Sequence, residues 1–95
     1  MFIVFLRFAE NRAQAGQFMD EHNDWLQQGF ADGVFLLAGS LQPGLGGGVI
    51  CHGTTIDELQ ARIDDDPFVR EKVVSAEIVE LNPGLADERL AFLVP

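Results

Sequence analysis

The chain is expected to fold as an α+β protein of the ferredoxin-like, split β-α-β type: a four-stranded antiparallel sheet with two helices on one face. Three observations predict this. Apolar runs at 2–8, 34–40, 48–53 and 72–81 have strand character. Two intervening segments carry apolar residues at helical spacing. The order that results is β-α-β-β-α-β, within 95 residues that make a single domain, 1–95.

Residues 2–8, Phe-Ile-Val-Phe-Leu-Arg-Phe, are apolar throughout apart from Arg7, which predicts a strand buried on both faces. Asn11 is placed to cap a helix over 12–29. Within it Phe18, His22, Trp25, Leu26 and Gly29 fall on one face, at spacings of four, seven, eight and eleven. Gly16 suits a close approach to the sheet, and Gly29 suits the helix stop. Phe30-Ala31-Asp32-Gly33 is a turn, followed by the strand 34–40. Residues 41–47, with Pro43 and several glycines, form a hairpin loop into the short strand 48–53, whose terminal glycines suggest bulges.

Thr54 or Thr55 caps the second helix, with Glu58 completing a capping-box-like pattern after Thr55. Ile56, Leu59 and Ile63 supply its inner face. Asp64-Asp65-Asp66 ends it, because three like charges at a helix C-terminus oppose the macrodipole. Pro67 opens a short turn or helix over 67–71. The strand 72–81 alternates imperfectly, so one of its faces is more exposed. Asn82-Pro83-Gly84 is a turn, and the apolar tail 90–94 is placed to add an edge strand. The sheet face away from the helices is left bare and apolar, and a face-to-face homodimer would cover it.

Composition excludes several functions. Fifteen acidic residues against six basic ones give a net charge of −9 with no basic cluster. A nucleic-acid backbone or an anionic membrane would be repelled overall, whereas a small-molecule substrate is not excluded. The single cysteine, Cys51, cannot form an internal disulfide, and the N-terminal apolar run is too short for a signal core or a membrane span. A soluble, cytoplasmic protein is expected.

His22 stands out, a titratable ring in a stripe of hydrophobes. It is either a core histidine bonded to a backbone carbonyl or a general base or acid. Asp66 is a natural N-cap before Pro67. It can also orient the His22 ring, one carboxylate oxygen serving each purpose. Ser40 is either a polar strand end or a substrate hydrogen-bond donor. Trp25 and Phe68 belong to the core or line a pocket beside His22. The glycines of 44–48 lack the Lys-Ser/Thr and the helix of a phosphate-binding loop. Cys51 and His52 are adjacent on a strand and point to opposite faces, so no metal site is expected, nor is any cofactor.

Taken together, His22 on the first helix, Ala38-Gly39-Ser40 ending the next strand, and Asp66-Pro67-Phe68 after the second helix resemble the YciI-like (YCII-related) family over nearly the whole chain. The resemblance implies a dimeric α+β barrel of ferredoxin-like protomers, related to muconolactone isomerase and antibiotic-biosynthesis monooxygenases. It implies a His/Asp-centred site carried by His22 and Asp66. A characterised relative is a dehydrochlorinase of chlorinated hydroxyhydroquinone. Ser40 stands where the family usually has Pro, and Trp25 follows His22 where many relatives have Leu. The function expected is cofactor-independent acid–base chemistry, an elimination, dehydrochlorination or isomerisation of a small cyclic or phenolic carbonyl compound. The alternatives are a non-catalytic ligand-binding or dimerisation module, and a cofactor-free monooxygenase.

Overall fold

The computed structural model describes residues 1–95. Its elements are β1 (Phe2–Phe8), a 3-10 turn (Arg12–Gln14), α1 (Ala15–Ala31), β2 (Phe35–Leu41), β3 (Gly46–Cys51), α2 (Ile56–Asp64), α3 (Pro67–Arg70), β4 (Val74–Glu80) and a C-terminal 3-10 segment (Glu88–Leu93). The strands form one sheet in the order β2-β3-β1-β4, with every neighbouring pair antiparallel. This is the expected ferredoxin-like α+β arrangement.

β1 alternates rather than being buried on both sides. Phe2, Val4 and Leu6 are buried, whereas Ile3 and Phe5 are only partly so. Within a single chain no element packs over the face that carries Ile3 and Phe5. Ile3, Phe5, Leu37 and Ile50 line a shallow groove on the face opposite the helices, and Leu37 is 64% exposed. On the helix side, the buried residues of β1 and β3 meet Leu59 and Ile63 of α2 and Phe68 of α3, all at most 6% exposed. Ile56, expected on the inner face of α2, is 47% exposed, because it lies in the first turn beyond the packed stretch. Thr55 is the α2 cap, its hydroxyl accepting from Glu58 N–H at 3.2 Å.

The first helix differs from expectation at both ends. Asn11 makes no side-chain cap. Its amide instead donates to the Glu71 carbonyl at 2.9 Å, and its backbone N–H donates to the Lys72 carbonyl at 3.0 Å. The chain therefore turns through residues 12–14 before α1 begins. At the other end α1 runs past Gly29. It closes in a Schellman motif, with Gly33 N–H on Phe30 C=O, Val34 N–H on Gly29 C=O, and Gly33 at φ 74°.

Gly29 is needed for another reason: a Cβ there would overlap the Phe35 ring. Gly16, expected to allow close packing, is exposed in open space. The two glycines should thus respond oppositely. Gly29→Val is expected to lower stability by about 1–3 kcal/mol through overpacking. Gly16→Ala should raise it by about 0.5–1 kcal/mol through helix propensity. Urea denaturation followed by circular dichroism reads both.

β3 begins earlier than expected, because Gly46, Gly47 and Gly48 already pair with Arg7, Leu6 and Phe5 of β1. The register irregularity falls in β2, between Phe35 and Leu37, rather than at the terminal glycines of β3. Residues 71–73 turn into β4 through Lys72, whose φ is 59°. The tail adds no edge strand. Asp87 caps a 3-10 segment by accepting from Arg89 N–H at 3.0 Å, and Phe92 rests edge-on to His52 with ring centroids 5.6 Å apart. No helix is long and apolar enough to cross a membrane.

Cys51 is fully buried, and burial pushes its thiol up to about 11 from an ordinary value of 9.0. The folded state therefore favours the neutral thiol. That contribution is whole below about pH 9 and is lost as the pH rises towards 11, because the unfolded thiol ionises first. Two results are expected. The native thiol should not react with a disulfide reagent at pH 8 while the denatured chain does, and the urea midpoint should fall between pH 8.5 and about 10.5.

Candidate active site

The apolar stripe of α1 brings Phe18, His22, Trp25 and Leu26 inward, half-buried, with Gly29 fully buried behind them. This stripe carries His22 to the one buried charged residue of the core, Asp66. His22 Nδ1 lies 2.8 Å from Asp66 Oδ1; the carboxylate is 0% exposed and the imidazole 12%. Asp66 is held there by local chain chemistry. It is the N-cap of α3, with extended backbone angles, Pro67 at the first helical position and Phe68 N–H donating to Oδ1 at 3.0 Å.

Both bonds fall on the same oxygen, not one on each as the sequence suggested. Oδ2 is buried without a protein partner. Since Oδ1 accepts from a backbone N–H, Nδ1 is the matching donor. That tautomer leaves the lone pair on Nε2, which no protein group engages.

The ring is also fixed face-on. Phe68 stacks on it with centroids 4.0 Å apart and planes 3° from parallel. Cap and stack come from residues two apart in one turn, so the Asp-Pro-Phe sequence fixes both the ring's hydrogen bond and its plane.

A cleft of about 320 Å³ opens beside this pair, between α1 and the sheet. Its walls include His22 and Phe68, and its floor includes Leu6, Ser40, Gly47 and Val49. Ser40, exposed at the strand end, lines the cleft, as does Phe68. Trp25 does not. Its indole N–H donates to the Arg62 carbonyl at 2.9 Å, and its ring meets Phe35 edge-on at 5.1 Å. It lies 5.7 Å from the His22 ring and joins α1 to α2, so it backs the site rather than forming a wall of the cleft.

The same clamp continues to the surface. There Arg62 pairs with Asp32 at 3.0 Å, and hydrogen bonds from Gln28 and then Arg62 hold the Asp32 carboxyl below the usual carboxylate range.

Two wall residues, Met19 and Asn23, escaped the sequence argument. Met19, Asn23 and Leu26 form a second line at spacings of four and seven, beside the His22 stripe. Following only the most apolar stripe hides this one, because Asn23 is polar and Met19 is 40% exposed. Asn23 brings the cleft an amide donor and acceptor beside His22.

Gly47 lies opposite Ser40 and Leu6 on the helix side of the sheet, so its missing side chain leaves the floor open. A Cβ there would come within 3.3 Å of the Gly39 carbonyl. Gly47→Val is expected to fill the cleft and weaken binding of any cleft ligand by about tenfold or more. The loss of stability should stay below about 2 kcal/mol. Ligand titration followed by amide NMR, alongside a denaturation curve, checks both parts.

Comparison with known proteins bears on family and fold. Among solved structures, the chain is similar to the 5-chloro-2-hydroxyhydroquinone dehydrochlorinase (TftG) of Burkholderia phenoliruptrix AC1100, determined in complex with 2,5-dihydroxybenzoquinone. The TM-score is 0.69 at 14% identity, covering 88% of this chain and 96% of that one. At that identity the likeness establishes the shared fold. No curated protein sequence matches. The family model described as the YCII-related domain matches residues 1–82, from the first strand through the Asp-Pro-Phe turn to the end of β4. The chain therefore belongs to the YCII-related domain family.

Proposed function

We propose that this protein is a small cofactor-independent enzyme that uses His22 and Asp66 for acid–base chemistry on a small cyclic or phenolic carbonyl compound. The observation that carries it is the 2.8 Å bond from His22 Nδ1 to a fully buried Asp66, at the edge of an apolar cleft. A histidine so held has a fixed tautomer, a fixed plane and one free nitrogen, which is what a general base requires.

In an elimination, Nε2 takes a proton from the position adjacent to the carbonyl. The electron pair left behind forms the new double bond, the leaving group departs with its own bonding pair, and the imidazolium returns its proton to solvent. Asp66 stabilises the imidazolium in between. Ser40 and Asn23 orient the carbonyl and hydroxyl oxygens. The solved structure of similar fold is that of a dehydrochlorinase, which makes an elimination the first reaction to test.

The test is a screen of chlorinated hydroxyquinols for chloride release, without added cofactor and with oxygen excluded. Release by the wild type is the expected result; no turnover of any cyclic halo- or hydroxy-carbonyl would overturn the assignment. The capping bond to Phe68 favours one other account, in which Asp66 is structural and the cleft only binds. On that account His22→Asn leaves ligand affinity unchanged and no substrate turns over.

The protein is proposed to act as a homodimer, with the groove of Ile3, Phe5, Leu37 and Ile50 against its copy, as in the two-sheet packing of sandwiches. Light scattering gives the mass directly. Cytoplasmic residence is the setting proposed for it, in keeping with an unpaired, buried Cys51.

A further inference from the structure

We propose that Arg12 is the specificity-determining residue of the cleft, and that it selects ligands bearing a carboxylate. This rests on the cleft being the ligand site, as proposed above.

The chain has six cationic side chains. Arg7, Arg62, Arg70 and Arg89 each pair with a carboxylate. Arg12 and Lys72 pair with none, and of these two Arg12 is the one stacked on a residue of the cleft, although Glu10 is two residues away from it. Its guanidinium lies instead over the Phe8 ring, 4.3 Å from the centroid. Phe8 lines the cleft, and its backbone N–H donates to Leu45 C=O at 3.0 Å, so ring and β2–β3 loop form one edge. The guanidinium reaches that loop as well: a Cβ on Gly44 would be 3.8 Å from its terminal nitrogen. Arg12 does not itself line the cleft; it stacks on Phe8, which does, and no protein acceptor claims its donors.

Charge around the cleft supports the same conclusion. No aspartate, glutamate, lysine or arginine is among the residues that line it. In a protein of net charge −9, the cleft surface itself carries no acidic side chain, and the Asp66 carboxylate behind His22 is 0% exposed and accepts from His22 and from Phe68 N–H. α1 begins just after Arg12 without an acidic residue in its first turn, so its positive end adds to the same sign.

A guanidinium stacked on an aromatic ring keeps its planar fork free for bidentate pairing with a carboxylate. The cleft volume, about 320 Å³, is at the small end of ligand sites. A single ring fits that volume beside His22, and a carboxylate on the ring would add a bidentate contact at Arg12.

Benzoate and its neutral isostere benzamide are the probes, titrated into ¹⁵N-labelled protein. The amides of Ala38 and Gly47 report on the floor. Arg12 is exposed and makes no buried contact, so Arg12→Gln and Arg12→Lys should fold. The expected result is that benzoate moves the floor amides at lower concentration than benzamide. Arg12→Gln should raise the benzoate Kd by about tenfold and leave benzamide unchanged within about twofold. Arg12→Lys should fall between them, and added salt should weaken benzoate alone.

Equal binding of both probes to the wild type, or an equal loss of both in Arg12→Gln, would overturn the Arg12 proposal and leave the cleft as a ligand site. Failure of either probe to move the floor amides would overturn it too. Arg12-dependent benzoate binding together with full turnover by His22→Asn would instead overturn the catalytic reading and leave the anion preference standing.

Discussion

Replacement of His22 by Asn is expected to lower turnover by about 10²–10⁴-fold, with KM changed much less. Asn is the informative choice because its side-chain NH₂ stands near the position of Nδ1 and can still donate to Asp66. What disappears is Nε2, the only ring nitrogen without a protein partner. The buried carboxylate keeps a donor, so the fold should survive, and circular dichroism with a thermal melt verifies that. Because His22 also stacks on Phe68 at 4.0 Å, a small loss in melting temperature is expected from the missing ring contact. Turnover within about threefold of wild type, on whatever substrate the screen yields, would show that Nε2 performs no proton transfer in the limiting step.

Asp66→Ala is expected to cost about 3 kcal/mol or more, the largest stability effect of any polar substitution in the chain. One oxygen accepts both His22 Nδ1–H and Phe68 N–H. Its removal leaves two donors without partners, each worth about 1–3 kcal/mol, and takes away the α3 cap. Asp66→Asn separates stability from chemistry. Its amide oxygen can accept from Phe68 N–H, so the cap persists and the loss should be closer to about 1 kcal/mol. The amide cannot, however, stabilise an imidazolium as a carboxylate does, so turnover should fall by about tenfold or more even where the protein remains folded. Equal stability of the Ala and Asn variants would show that the cap is energetically idle. Urea denaturation and initial rates measured on the same preparations decide between these outcomes.

The fold was legible because each level of the sequence pointed the same way. Strand runs, the Thr55 cap, the Asp-Gly turn and the Pro67 start all lie where they are needed. His22 and Asp66, 44 positions apart, were legible as a pair because one polar residue in an apolar stripe requires a partner, and few candidates exist.

What was not legible depends on three-dimensional contact. The job of Gly29 depends on where the Phe35 ring arrives, and the exposure of Ile3 and Phe5 depends on what packs over the far face of the sheet. Asn11 looked like a cap, but its amide found the Glu71 carbonyl across the fold. Trp25 could be read as core or as pocket lining, and its indole bond to the Arg62 carbonyl, which turns it towards α2, has no signal in the sequence. Asn23 was hidden because it lies off the apolar stripe, where periodicity carries no signal.

The bond from Phe68 N–H to Asp66 makes one backbone amide a gauge of the whole site. That proton cannot exchange with solvent deuterium until the carboxylate swings away, and the same swing releases His22. Its exchange rate therefore reports the fraction of time in which His22 is out of alignment, without any assay of turnover. A ligand that tightens the cleft should slow this exchange in proportion to its occupancy, which makes the position a screen for cleft ligands.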